Sequence, residues 1–346
     1  MKKFIISLLL LYAVAMPAKA VEITAPAAPE EAQDLMPVEQ SSFGEDLWYV
    51  VKSAVQRLQP ELVAGCGVCL AVTASVLLTS MLGSFPGSSK STTELVGCVA
   101  IACLVLGTTN SLIGSAADTV RQLSDYGKLL LPVMTTATAA QGAVTTSTAI
   151  YVGTALFDAL LGSLIASVLT PLIYMFIALS IAKSALNEPL LKKLQSLVKW
   201  VTTWSLKIIL YIFTGYITIT GVVSGTADQS ALKATKLTIS GMVPVVGGIL
   251  SDASEAILVG ASAVKNTIGV YGLVAVLAIA IGPFLKIGLQ YLLLKLIGAV
   301  CGIFGGKQTT GLIDDMAAAM GLLLAMTGAV CLLLLISIVC FMKGVS

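Results

Sequence analysis

Four stretches of this chain, Leu62 to Gly83, Leu95 to Ala117, Ile208 to Ala227 and Met316 to Met342, contain no charged side chain, and a fifth runs from Asn266 to Pro283 and beyond. At 1.5 Å per residue each is long enough to cross about 30 Å of hydrocarbon as a helix. These runs predict an all-α fold: a polytopic integral membrane helix bundle of about seven spans, six or eight being the alternatives. Composition agrees, with 57% hydrophobic and 11% charged residues and a mean hydropathy of +0.97, where a soluble domain has about a quarter charged residues.

The net charge of +2 and the absence of histidine give no sign of a nucleic-acid partner and exclude histidine-based metal or acid–base chemistry. There is no phosphate-binding Gly-x-x-x-x-Gly-Lys-Ser/Thr loop and no Gly-x-Ser-x-Gly elbow. The expectation is a protein that is not an enzyme and carries no cofactor or metal. Cys66 and Cys69 have redox-motif spacing, but their uncharged surroundings offer nothing to stabilise a thiolate. They and the other five cysteines read as small apolar residues of membrane helices.

Lys2 and Lys3, the apolar run Phe4 to Met16 and Ala18-Lys19-Ala20 read as a signal peptide over residues 1–20, cut after Ala20. Residues 21–61 form an exported acidic arm followed by an amphipathic segment with Trp48 and Tyr49. Residues 62–346 are the multi-span membrane domain. Leu129 to Thr148, rich in threonine and alanine, reads as interfacial or partly re-entrant, and Ala149 to Ala182 as the true span. Tyr271 to Gly302 is either a hairpin bent at Gly282-Pro283 or one broken helix. The hairpin would leave Lys343 inside. A faint repeat pairs residues near 95–206 with 207–304, since Pro132 and Pro171 recur as Pro244 and Pro283 at one offset.

Orientation follows from lysine. Lys183, Lys192, Lys193, Lys199 and Lys207 form the strongest basic cluster, and positive loops stay in the cytoplasm. An exported N-terminus and three crossings put the cluster there, which leaves Gly225 to Lys265 on the outer face.

Two sets of polar residues stand out. Asp158 is the single charge between Leu129 and Ala182; a carboxylate in lipid must face a cavity, pair with a cation or be protonated. Lys286 and Lys295 are its candidate partners, although both also suit snorkelling. The second set is Pro244 to Asn266. There Gly247 and Gly248 break the chain, Ser251 or Asp252 can cap a helix, and Glu255 completes a capping box. Asp252, Glu255, Ser262 and Asn266 then share a polar face, opposite a stripe of small residues. Pro244, Gly247, Gly248, Asp252, Glu255, Ser262, Lys265 and Asn266 are the candidate partner-docking or conduit residues, on a surface or re-entrant helix.

The same region carries a family likeness. Pro244-Val245-Val246-Gly247-Gly248, Leu250-Ser251-Asp252-Ala253, Lys265-Asn266, Gly269, Pro283 and Lys286-Ile287 stand in an order that resembles the stage III sporulation protein AE family of endospore-forming bacteria. That resemblance implies a membrane component of a secretion-like channel complex that links mother cell and forespore after engulfment and sustains late forespore development. It places the chain in the mother-cell-derived outer forespore membrane. Its implied partners are the lipid bilayer, other proteins of the same sporulation operon and a forespore membrane protein, with homo-oligomerisation open. An autonomous small-solute permease, using Asp158 and broken helices, is the alternative.

Overall fold

The computed structural model describes residues 24–37, 43–85, 90–242 and 247–343. Residues 1–20, read as a signal peptide, and Pro244 lie outside the described residues. Among these, the elements are all helical: α1 (Glu30–Gln33), α2 (Phe43–Gln56), α3 (Gln59–Gly83), α4 (Lys90–Ala139), α5 (Val144–Leu164), α6 (Thr170–Leu186), α7 (Pro189–Met242), α8 (Gly247–Cys301) and α9 (Lys307–Lys343). A π-helical turn, Ile165–Leu169, joins α5 to α6 as one rod.

Among the described residues, six helical rods are long and apolar enough to cross a membrane. The sequence favoured about seven because Tyr271 to Gly302 could fold back on itself, but α8 runs unbroken through Pro283. Proline removes one hydrogen bond, to the carbonyl of Ile279, and the packing of neighbouring helices holds the rod together. The hairpin is therefore replaced by one helix. Lys343 then ends on the side where α2 lies, opposite the Lys183–Lys193 turn, rather than on the same side as that turn.

Leu129 to Thr148 is likewise not a re-entrant element. α4 continues through Pro132 to Ala139, and α5 starts five residues on, after a turn in which Gly142 has φ 87°. The threonines that suggested an interface donate their hydroxyls to their own helix, Thr135 to the Leu131 carbonyl at 2.7 Å and Thr138 to that of Met134 at 2.7 Å. Such back-bonding makes a hydroxyl compatible with an apolar helix.

α9 forms the axis, touching α4, α5, α6, α7 and α8. Met320, Leu323, Met326 and Leu333 along it are buried. Close approach of other rods depends on glycine at a few points. A Cβ on Gly153 would run into the Tyr216 ring, and that tyrosine donates its hydroxyl to the Ala149 carbonyl at 3.0 Å. At the α6–α7 turn, Asn187 adopts the left-handed conformation (φ 54°) and its N–H donates to the Lys183 carbonyl at 2.8 Å. This is the C-terminal stop that asparagine tolerates better than other non-glycine residues, and Pro189 then opens α7.

Candidate functional site

Asp158 projects from α5 into the contact with α4. It is buried, and it accepts a hydrogen bond from Ser124 Oγ at 2.6 Å through Oδ2. Its Oδ1 has no hydrogen-bond partner among the described residues. Beside it opens a cavity of about 330 Å³, lined by Arg121, Asp125, Lys128, Gly162 and Thr170 among others. The π turn shapes one wall. Pro171 cannot donate to the Ser167 carbonyl and its ring crowds that carbonyl, so the helix widens by a residue and Thr170 Oγ1 bonds the Ile165 carbonyl at 2.9 Å. Such bulges favour functional positions.

The cations expected to serve Asp158 do not reach it. Lys286 Nζ pairs with Glu61 at 2.8 Å and Lys295 Nζ with Asp314 at 2.9 Å, both half-exposed. The pairing with Lys286 or Lys295 is thus corrected. Asp158 and the two lysines sit on rods that the bundle holds apart, and the cations lining its cavity are Arg121 and Lys128. Lys183 forms a further pair with Asp315, joining α6 to the axial α9 in a partly buried position.

Along the outer face of α4 runs a short ladder of charge. Arg121 lies 3.7 Å from Asp118 and Lys128 lies 2.8 Å from Asp125, with side chains 66–74% exposed. The ladder falls between the apolar runs Leu95 to Ala117 and Leu129 to Ala182, where a search for charge-free spans does not look.

Gly247 to Asn266 is placed differently from expectation. From Gly247 on it is the first part of the 55-residue α8, continuous with the apolar stretch that follows. No breaker interrupts the helix after Gly248, so a separate surface or re-entrant helix has nothing to delimit it. Gly247, Gly248, Asp252 and Glu255 are described as helix only. Of the others, Ser262 is half-buried, Lys265 buried and Asn266 exposed.

A residue the sequence did not single out, Asp228 of α7, clamps the start of α5. Its carboxylate accepts the backbone N–H of Thr145 at 3.1 Å and of Thr146 at 2.8 Å. The N-cap residue is Ala143, which makes no side-chain capping bond, so Asp228 supplies from another rod what alanine lacks. Burial alone would raise its pKa, but the hydrogen bonds from Thr146 and Thr145 outweigh burial and hold the carboxyl below its ordinary value. The available signal was weak: Asp228 is the single charge between Lys207 and Lys233.

All seven cysteines are free, and no cluster of metal-ligating side chains occurs among the described residues.

Comparison with known proteins gives two results. A family model described as stage III sporulation protein AE matches residues 40–344. A stage III sporulation protein AE from Bacillus subtilis (strain 168) is 25% identical over 146 residues, which cover 42% of this chain and 37% of that relative. The match thus spans little more than a third of the relative's length. No solved structure matches.

Proposed function

The chain belongs to the stage III sporulation protein AE family, and on that premise we propose that it is a membrane component of the secretion-like channel complex joining mother cell and forespore after engulfment. Its sporulation family and its six long apolar rods make it a multi-pass membrane protein with a role in spore formation. In the finer reading it sits in the outer forespore membrane with its N-terminus on the extracytoplasmic side. Its partners are the other products of its sporulation operon and a forespore membrane protein.

The filled axis carries this reading over the permease. A permease needs a path through its own centre, and here that centre is α9, whose side chains pack against five other helices. Cavities of about 720, 610 and 330 Å³ lie at one end of the bundle and on its flanks. An element that contributes surface to a shared conduit has no need of an open axis of its own.

Reconstitution of the purified chain in vesicles tests the choice. The component reading expects no solute flux above protein-free vesicles, and co-purification with operon partners that is lost on charge reversal at Asp252 and Glu255 while membrane insertion persists. Flux that Asp158→Asn abolishes would sink it and establish the permease.

A further inference from the structure

The rods are too tall for one bilayer. α4, α7 and α8 have 50, 54 and 55 residues, or about 75–83 Å at 1.5 Å per residue, against about 30 Å of hydrocarbon. Lipid therefore covers part of their length, and the distribution of charge says which part.

Charged groups gather in two belts. The first lies at the end where α3 gives way to α4, α6 to α7 and α8 to α9. It holds the Lys183–Asp315 and Lys295–Asp314 pairs, Glu94 against Gly306, and the exposed Lys192 and Lys193. The second crosses the middle of the bundle. It holds the Glu61–Lys286 pair, the first rungs of the α4 ladder, Asp118 and Arg121, and the exposed Lys207. Along α4 the separation from Glu94 to Asp118 is about 36 Å. Along α3 the separation from Glu61 to Ser80, which bonds the Phe304 carbonyl in the first belt, is about 28 Å. One hydrocarbon thickness fits between them along α3 and α4; along α8, Lys286 and Lys295 are nine residues or about 14 Å apart, so Lys295 has to reach toward the first belt along its stem.

The outward surface of α4 changes at the second belt. Between the belts the outward side chains are apolar, among them Leu70, Leu78, Val99, Met175 and Leu292. Lys199 interrupts that surface, with a stem long enough to carry its ammonium toward the headgroups. Beyond the second belt exposed charge returns on α4, while Val144, Val152, Ile212 and Ile219 keep the α5–α7 face apolar. Val274 and Ile279 of α8 and Leu334 and Ile338 of α9 turn inward, and the α4 ladder continues outward to Asp125 and Lys128. On another flank α2 packs on α8 with Lys52 exposed.

We infer that the bilayer surrounds only the half of the bundle between the two charge belts, and that the other half, including Asp158 and the ladder, stands clear of lipid on the side of α2 and the end of α9. The lipid-crossing parts of α7 and α8 are then Pro189 to Lys207 and Lys286 to Cys301. The more apolar Ile208 to Ala227 and Asn266 to Pro283 lie beyond the membrane. On the orientation in the proposed function, the clear half points into the space between the two forespore membranes; the placement of lipid itself does not depend on that orientation.

The two arrangements differ most on the α5–α7 face, where Leu156 and Tyr211 are exposed apolar residues beyond the second belt. The test replaces Trp48, Trp200 and Trp204 by Phe and places a single tryptophan at Leu70, Val99, Leu156 or Tyr211. The full chain is reconstituted in vesicles of phosphatidylcholine brominated near the middle of its acyl chains. All four positions are exposed in the bundle, so the substitutions leave packing intact, which circular dichroism verifies. The expected result is quenching at Leu70→Trp and Val99→Trp at least threefold stronger than at Leu156→Trp and Tyr211→Trp. Equal quenching at either outer-half position overturns the inference, and so does weak quenching at Leu70→Trp or Val99→Trp.

Discussion

α3 and α9 look alike in sequence, two long apolar helices, yet 11% of the hydrophobic window of α3 is buried inside the bundle and 61% of that of α9. α3 is apolar because its side chains face outward, with Leu70 and Leu78 exposed. α9 is apolar because it is the packing centre for five other helices. The same residue types therefore answer to two different solvents, lipid in one case and protein in the other. Hydropathy registers both as spans, and only burial separates them.

The comparison breaks most sharply under charge. Leu323→Lys puts an ammonium where the side chain is fully buried in α9, and an unpaired buried cation costs several kcal/mol. We expect no folded protein to be recovered in detergent micelles. The milder Leu323→Ala should cost about 2–5 kcal/mol through the cavity it leaves, whereas Leu70→Ala should change the midpoint of thermal unfolding in micelles by little. Equal losses at the two positions would show that α9 is no more central than α3.

How much of this could be read from the sequence depends on what a residue reports. Charge-free length reports helices that suit an apolar environment, so α3 and the cores of α4, α7, α8 and α9 were legible. Charge-free length does not report whether a helix ends. Pro283 suggested a hairpin because proline breaks isolated helices, but in a packed rod the lost bond is a small fraction of the interaction that holds it. Partners across the chain were least legible. Asp158 was recognised as needing a polar neighbour, yet Ser124 is an ordinary serine 34 positions away, and the lysines that drew attention were already matched to Glu61 and Asp314. Asp228 and Thr145 are 83 positions apart, and nothing local in either segment announces the other.

The α5 clamp sharpens the comparison in the half of the bundle beyond the second belt, where the buried Asp228 is held by backbone hydrogen bonds. Because the Asp228 carboxyl is held below its ordinary value in the folded protein, it binds fewer protons there than in the unfolded chain. Its contribution is fully present above the unfolded value of about 3.9 and is lost as pH falls through the lower folded value. Asp228→Ala should cost about 1 kcal/mol at neutral pH, as loss of a helix cap does. It should also flatten the fall in unfolding midpoint with acidification below about pH 4. An unchanged acid limb would mean that other carboxylates set it.

The smallest effect belongs to the α4 ladder, and its size is the informative quantity. Asp125 and Lys128 make a 2.8 Å pair with both side chains about two-thirds exposed. If water surrounds them, a double-mutant cycle with Asp125→Asn and Lys128→Gln should give a coupling of about 0.2–1 kcal/mol that shrinks as salt is raised, since exposed pairs are weak and screened. In lipid the same pair would lose its hydration, and removing one partner would strand the other charge at a cost of several kcal/mol. Thermal unfolding of the four proteins in vesicles, at low and high salt, distinguishes these cases. A small salt-sensitive coupling keeps α4 beyond the second belt in water. A large salt-insensitive one would put this half of the bundle in the bilayer and erase the contrast in environment between the two halves.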